Sequence, residues 1–155
     1  MAVKRKVKYG NKKVERDGHV FDSLAEAKYY DQLKWLQANN QILFFRIQPR
    51  YLLQEAFEKN GVAHRKIEYV ADFEVHKKDG SIEVIDIKGV ETEAFKIKRK
   101  LFEFKYPHKL SLLTYSQDHK GFLPTKEHQA YVKKKKAMRG GGKRVIRNVY
   151  RSGIQ

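Results

Sequence analysis

The 155-residue sequence has no cysteine and only three prolines. The missing cysteine excludes disulfide scaffolds, zinc ribbons and thiol catalysis, and it fits a reducing compartment. Long apolar runs are missing too. None approaches the roughly 18 residues of a membrane span. The opening MAVKRKVKYGNKK carries no apolar stretch of the kind a secretory leader needs, so export is not expected. There is no Walker loop and no dinucleotide fingerprint, so no small-molecule cofactor is expected. His64, His76, His108, His119 and His128 show no paired metal spacing, which speaks against zinc. Negative charge is scarce at both ends. Residues 1–13 hold six basic and no acidic residues, and residues 132–155 hold nine basic and none acidic.

What is present points to a folded, polyanion-binding protein. Nine Phe, nine Tyr and one Trp within a 41% apolar composition supply a core, so full disorder is excluded. The formal charge is +16, yet residues 14–131 balance 19 basic against 18 acidic residues. A nearly neutral centre with basic ends favours nucleic acid, because each neutralised phosphate releases counterions. No long basic amphipathic helix is read from the sequence, so a membrane surface is not expected as partner.

The periodicities give an alternating order. Residues 8–21 read as a hairpin turning at Asp17-Gly18. Residues 24–38 read as a helix, with Leu24, Ala27, Tyr30 (or Tyr29), Leu33 and Leu36 in helical spacing. Trp35 is expected in the core. Residues 42–54 read as a strand pair or one strand bent at Pro49. Residues 64–76 and 81–89 read as strands joined through Lys78-Asp79-Gly80. A second helix over 91–105 ends before Pro107, a strand covers 109–116, and a third helix covers 125–138. Gly140-Gly141-Gly142 reads as a flexible joint before a basic tail. The expectation is one α/β domain over 1–139 and a Gly-hinged tail over 140–155. The domain has a central mixed sheet flanked by helices, in the order helix, three strands, helix, strand.

Three acids and a lysine carry the candidate chemistry. Alternation places Asp86 and Lys88 on one strand face. On the preceding strand Ile67, Tyr69, Ala71, Phe73 and Val75 form an apolar face, with Asp72 on the other. Whether the two aspartates meet depends on the turn. A two-residue Asp79-Gly80 turn separates them, whereas a three-residue Lys78-Asp79-Gly80 loop sets them opposite. The longer loop needs a left-handed last residue, and Gly80 supplies it. Adjacent carboxylates resist ionising together unless a cation neutralises them. Oxygen ligands without Cys or His suit Mg²⁺ or Mn²⁺. Lys88 would then position water or stabilise charge on a phosphate. Glu26 completes the set, or simply closes a capping box with Ser23. Lys96, Lys98, Arg99 and Lys100 on the second helix are phosphate contacts or a solvated face. The basic C-terminal residues Lys133, Lys134, Lys135, Lys136, Arg139, Lys143 and Arg144 are further candidates for DNA contact.

Asp72, thirteen intervening residues and then Asp86-Ile87-Lys88 resemble the PD-(D/E)-x-K nuclease signature, with Ala71 in place of the proline. Phe21-Asp22-Ser23, the helix with Glu26, Gln48-Pro49, Tyr69 to Phe73, Asp86 to Gly89 and Lys100 to Pro107 resemble a family of small phage proteins of unknown function. That family is similar to endonuclease I-type Holliday-junction resolvases. The resemblance covers about 23–116 and implies a nuclease-like core. It implies metal binding by Asp72, Asp86 and Glu26, assistance by Lys88, and a homodimer acting on branched DNA. The resulting expectation is a Mg²⁺-dependent DNA endonuclease, a phage junction resolvase working in the host cytoplasm. The alternatives are a nicking or replication-linked nuclease on duplex DNA, and a non-catalytic nucleic-acid-binding protein.

Overall fold

A computed structural model describes residues 12–88 and 90–149, with side chains through residue 139. The protein is of the α/β class, with a central mixed sheet and, among the described residues, three helices. It divides into two compact units, Met1–Leu112 and Leu113–Gln155.

The first unit begins with the expected hairpin, β1 (Val14–Arg16) and β2 (His19–Phe21). Asp17 and Gly18 between them have φ of 50° and 78°, as a type I′ turn requires. Helix α1 covers Leu24–Ala38, the expected span. Ser23 Oγ accepts the Glu26 N–H at 3.1 Å and caps it. Its buried side is Glu26, Ala27, Tyr29, Tyr30 and Leu33. Trp35 is 61% exposed and does not belong to the core. It lies two residues beyond Leu33, roughly 200° round the helix. Leu24 is exposed as well.

Residues 42–54 form two strands, β3 (Phe44–Ile47) and β4 (Arg50–Gln54). A hairpin absent from the sequence expectation follows, β5 (Phe57–Lys59) and β6 (Val62–His64). Its signal was present in Asn60-Gly61, which take φ of 53° and 74°. The single strand expected over 64–76 is also divided, into β7 (Ile67–Val70) and β8 (Phe73–His76). β3 pairs with β8 and β4 with β7, both antiparallel.

One register runs through both breaks, with Ile47 opposite Phe73 and Arg50 opposite Val70. Between them the Gln48 N–H donates to Asp72 O at 2.9 Å, and the Ala71 N–H donates to Pro49 O at 3.1 Å. The four strands are therefore one bent ladder. Pro49 marks the bend because it brings no N–H to the ladder.

β9 (Ile82–Ile87) pairs antiparallel with β8, Phe73 opposite Ile85 and His76 opposite Ile82. This is the register of the three-residue loop. Gly80 has φ 85°, and the Lys77 N–H donates to Ser81 O at 2.9 Å to close the turn. The bend splits the apolar face expected over 67–75. Phe73 packs against Phe21 and Tyr29, with centroids 6.1 and 5.4 Å apart, beside α1. Tyr69 and Ala71 instead join Tyr51, Leu53, Val84, Phe95 and Phe102 in a second core. Alternation fails because Ala71 and Asp72 belong to neither strand. Phe95 and Phe102 come from α2 (Glu93–Lys105), capped by Thr92 Oγ1 on the Phe95 N–H at 3.2 Å.

Strand β10 (Lys109–Ser116) covers the expected residues, and its first half completes the order β3-β8-β9-β10 in the first unit. In the second unit its end pairs with β11 (Gly121–Pro124), a strand not expected from the sequence. Helix α3 starts at Thr125 as expected and spans to Val149. Gly140-Gly141-Gly142, read as a joint, falls inside that span.

Candidate active site

The first unit holds all four candidate catalytic residues. Glu26 lies in the first turn of α1 and is 9% exposed. Asp72 sits at the bend before β8, Asp86 near the end of β9 and Lys88 just beyond it. Asp86 is 2% exposed. The Gly80 register brings the aspartates to one end of the β8–β9 ladder. There the Asp72 N–H donates to Ile85 O at 3.2 Å, and Asp72 Oδ2 accepts the Ile87 N–H at 2.6 Å. Lys88 Nζ is 2.9 Å from Asp86 Oδ1 and 4.4 Å from the Phe95 ring centroid. Asp86 Oδ1 is buried and accepts no well-directed hydrogen bond, so the nearby ammonium neutralises it by charge alone.

The three acids share one field. Burial pushes Asp72 up to about 8, with the negative charges of Asp86 and then Glu26 adding to it. The Ile87 N–H and Lys88 oppose the rise without cancelling it. Glu26 is raised first by burial, with Asp22 and Asp86 contributing. Its hydrogen bonds pull the other way: Ser23 Oγ donates to Oε1 at 3.0 Å and the Asp22 N–H to Oε2 at 3.1 Å. Both readings of Glu26 therefore meet in one side chain. It closes the cap and it senses the aspartates.

Tyr69 is the site residue that sequence reasoning missed. Its hydroxyl donates to Asp86 Oδ2 at 2.5 Å. Burial, then the charge of Asp86, raises its own titration far above the ordinary phenol, so it stays a donor. Strict alternation placed Tyr69 on the face away from Asp72, and only the bend at Ala71-Asp72 turns it towards Asp86. Tyr69→Phe keeps the ring against Phe95 and Phe102. It strands a buried carboxylate oxygen, so a loss of about 1–3 kcal/mol in unfolding free energy is expected, read by urea titration at neutral pH. An unchanged midpoint would mean that the hydroxyl does nothing for Asp86.

The donor set consists of hard oxygens and suits Mg²⁺ or Mn²⁺ in chemistry. As they stand, however, no three His, Cys, Asp or Glu side chains among the described residues are grouped to hold a metal ion. Both Glu26 oxygens are engaged by Ser23 and Asp22, and Asp86 is held between Tyr69 and Lys88. A shared ion requires these side chains to turn.

The basic candidates fall into distinct settings. On α2, Lys96 pairs with Glu93 at 2.8 Å and Arg99 with Glu91 at 2.9 Å. Lys98 and Lys100 have no acidic partner among the described residues. On α3, Lys135 pairs with Asp118 at 2.6 Å, while Lys133, Lys134, Lys136 and Arg139 are exposed. The side chains of Lys143 and Arg144 lie outside the described residues, as does Gly89.

These features define an α/β protein in which two buried carboxylates, Glu26 and Asp86, interact with the half-buried Asp72 and Lys88 beside a helix N-terminus. The chain belongs to the family described as protein of unknown function (DUF1064), which it matches over residues 6–121. Among curated proteins, none matches the chain. The matched span includes Glu26, Tyr69, Asp72, Asp86 and Lys88 and ends before α3.

Proposed function

We propose that the protein is a metal-dependent DNA endonuclease with a PD-(D/E)-x-K-like core, acting on branched DNA such as a four-way junction. One observation carries the reading. Asp72, Asp86 and Glu26 lie within one another's field, at a cost that drives Asp72 to about 8. A lysine stands 2.9 Å from the most buried of them. A fold has little reason to gather such charges unless a cation neutralises them in use.

In this reading Asp72 and Asp86, with Glu26, hold Mg²⁺ or Mn²⁺. When bound, such an ion supplies Lewis acidity and makes water acidic enough to attack a phosphodiester. The protein's own groups do the rest. Asp72 gives up the proton that burial and the charges of Asp86 and Glu26 let it keep near neutral pH. Tyr69 orients Asp86 through Oδ2, and Lys88 Nζ stabilises negative charge building on the phosphate. The half-buried Lys98 and the exposed Lys100, Lys133, Lys134, Lys136 and Arg139 hold backbone phosphates, which position the DNA without reading its sequence. The family resemblance supports a homodimer that cuts two strands.

A second reading, a non-catalytic binding protein, draws on the absence of a three-ligand group among the described residues and on the internal neutralisation of Asp86 by Lys88. One assay separates the two. Labelled four-way junction, matched duplex and single strand are incubated with Mg²⁺, Mn²⁺ or EDTA. Paired, metal-dependent nicks confined to the junction are expected. Equal cutting of all substrates would leave a nuclease without branch selectivity. Tight binding with no cutting in either metal would transfer the reading to a binding protein.

A further inference from the structure

Every residue from 54 to 66 is exposed, and β5 and β6 form a two-stranded sheet of their own. Such a hairpin is marginal in water by itself. This one nevertheless displays an aromatic pair. Phe57 and His64 lie opposite each other, with ring centroids 4.5 Å apart and planes 13° apart. Phe57 is 44% exposed and Val62 56% exposed. The cross-strand pairs sort the charges. Phe57 opposite His64 and Lys59 opposite Val62 share one face, while Glu58 and Ala63 take the other. Among the paired residues, one face thus combines a flat ring system, an aliphatic patch and an ammonium, and the carboxylate of Glu58 lies on the other.

We propose that this face is a nucleic-acid contact, with an unpaired base stacked on the Phe57–His64 pair and the adjoining phosphate held by Lys59. A base offers a π-face beside a phosphate, which is the complement of a ring beside an ammonium. The chain's +16 charge brings the polyanion to the surface. The hairpin keeps the register in which the β4–β7 ladder ends at Gln54 and Ile67, and its Phe57–His64 pair lies eight residues along the chain from Asp72, roughly 26 Å at about 3.3 Å per residue. The proposal rests on the DNA reading above and gives branch preference a physical origin. Bases inside a continuous duplex have no free face, whereas an unstacked base at a branch or in a single strand does.

The test uses the whole protein in EDTA, so that no strand is cut, with 2-aminopurine as a fluorescent base. The probe is placed unpaired at a branch, in a single strand, and inside continuous duplex. Quenching of the two unpaired probes alone is expected. Phe57→Ala is expected to abolish it and to weaken binding of those substrates about 5- to 150-fold, with duplex affinity nearly unchanged. Phe57→Trp restores both effects. Lys59→Gln weakens all substrates evenly and lowers the salt slope by about one. Three outcomes overturn the proposal. Quenching survives Phe57→Ala, or duplex and branched affinities fall together, or the variant turns a dimer into a monomer by sedimentation, which would make the face an interface between copies. Quenching by a protein that cuts nothing in Mg²⁺ supports the hairpin contact and sinks the nuclease. Junction cutting without quenching does the reverse.

Discussion

Replacing Asp86 with Asn is expected to lower metal-dependent junction cleavage by about 10³-fold or more, with binding unchanged or tighter. The substitution is nearly isosteric and leaves an oxygen for the Tyr69 hydroxyl, which now reaches Asp86 Oδ2 at 2.5 Å. It removes a negative charge that raises both Asp72 and Glu26. Relief of that repulsion offsets the lost attraction to Lys88, so the fold survives and the lost cleavage cannot be ascribed to unfolding. One negative charge fewer also favours a polyanion. Lys88→Ala is expected to give the same pattern of silent chemistry and retained binding, since α2 and α3 still present their lysines. Single-turnover cleavage in Mg²⁺ and binding in EDTA, run on the same preparations, provide the check. Wild-type rates in either variant would show that the site has been assigned to the wrong residues.

Much of the fold was legible because the local signals agreed with one another. Ser23 and the 24–38 periodicity placed α1, and the run KLSLLTYS placed β10. Gly80 made the aspartate register readable before any coordinates. Only a left-handed residue closes the three-residue loop, and that loop alone sets Phe73 opposite Ile85. The bend was not legible. Pro49 announced a break in its own strand but said nothing of the answering break at Ala71-Asp72, which lies across the ladder and 22 residues away in sequence. Through that break a period-two argument assigns Tyr69 to the wrong side and hides the donor to Asp86. Trp35 misled for a simpler reason: a large apolar residue near a helical stripe is not within it. The β5–β6 hairpin was missed although Asn60-Gly61 is a strong turn pair, because no alternating apolar run flanks it. Those flanks are exposed on both faces, which is also why the hairpin is free to contact a partner.

Metal-free protein is expected to lose stability between about pH 4 and pH 8 through Asp72, and Asp72→Asn is expected to remove that loss. The ordinary aspartate value is 3.8, and Asp72 is pushed to about 8, by burial first and by Asp86 and Glu26 next. Below the lower value folded and unfolded chains both hold the proton, and the group adds no slope. Between the two values the unfolded chain has released it and the folded chain has not. The folded state then binds more protons, so stability falls as pH rises, by up to about 1.4 kcal/mol per pH unit. Above pH 8 both states are ionised and the full cost remains. Glu26 is shifted in the same direction and adds to the slope. Asp17, Glu74 and Glu83 are lowered by their hydrogen-bond partners and act in the opposite sense near pH 4. The difference between wild type and Asp72→Asn is therefore the quantity to measure, by thermal unfolding across pH 4–8.5. A divalent cation favours the ionised cluster, so Mg²⁺ should flatten the wild-type slope and release protons as it binds. It should leave Asp72→Asn unmoved. A wild-type slope indifferent to Mg²⁺ would mean that the carboxylates gather for some purpose other than holding a metal. A slope that persists in Asp72→Asn would place the retained proton on another group.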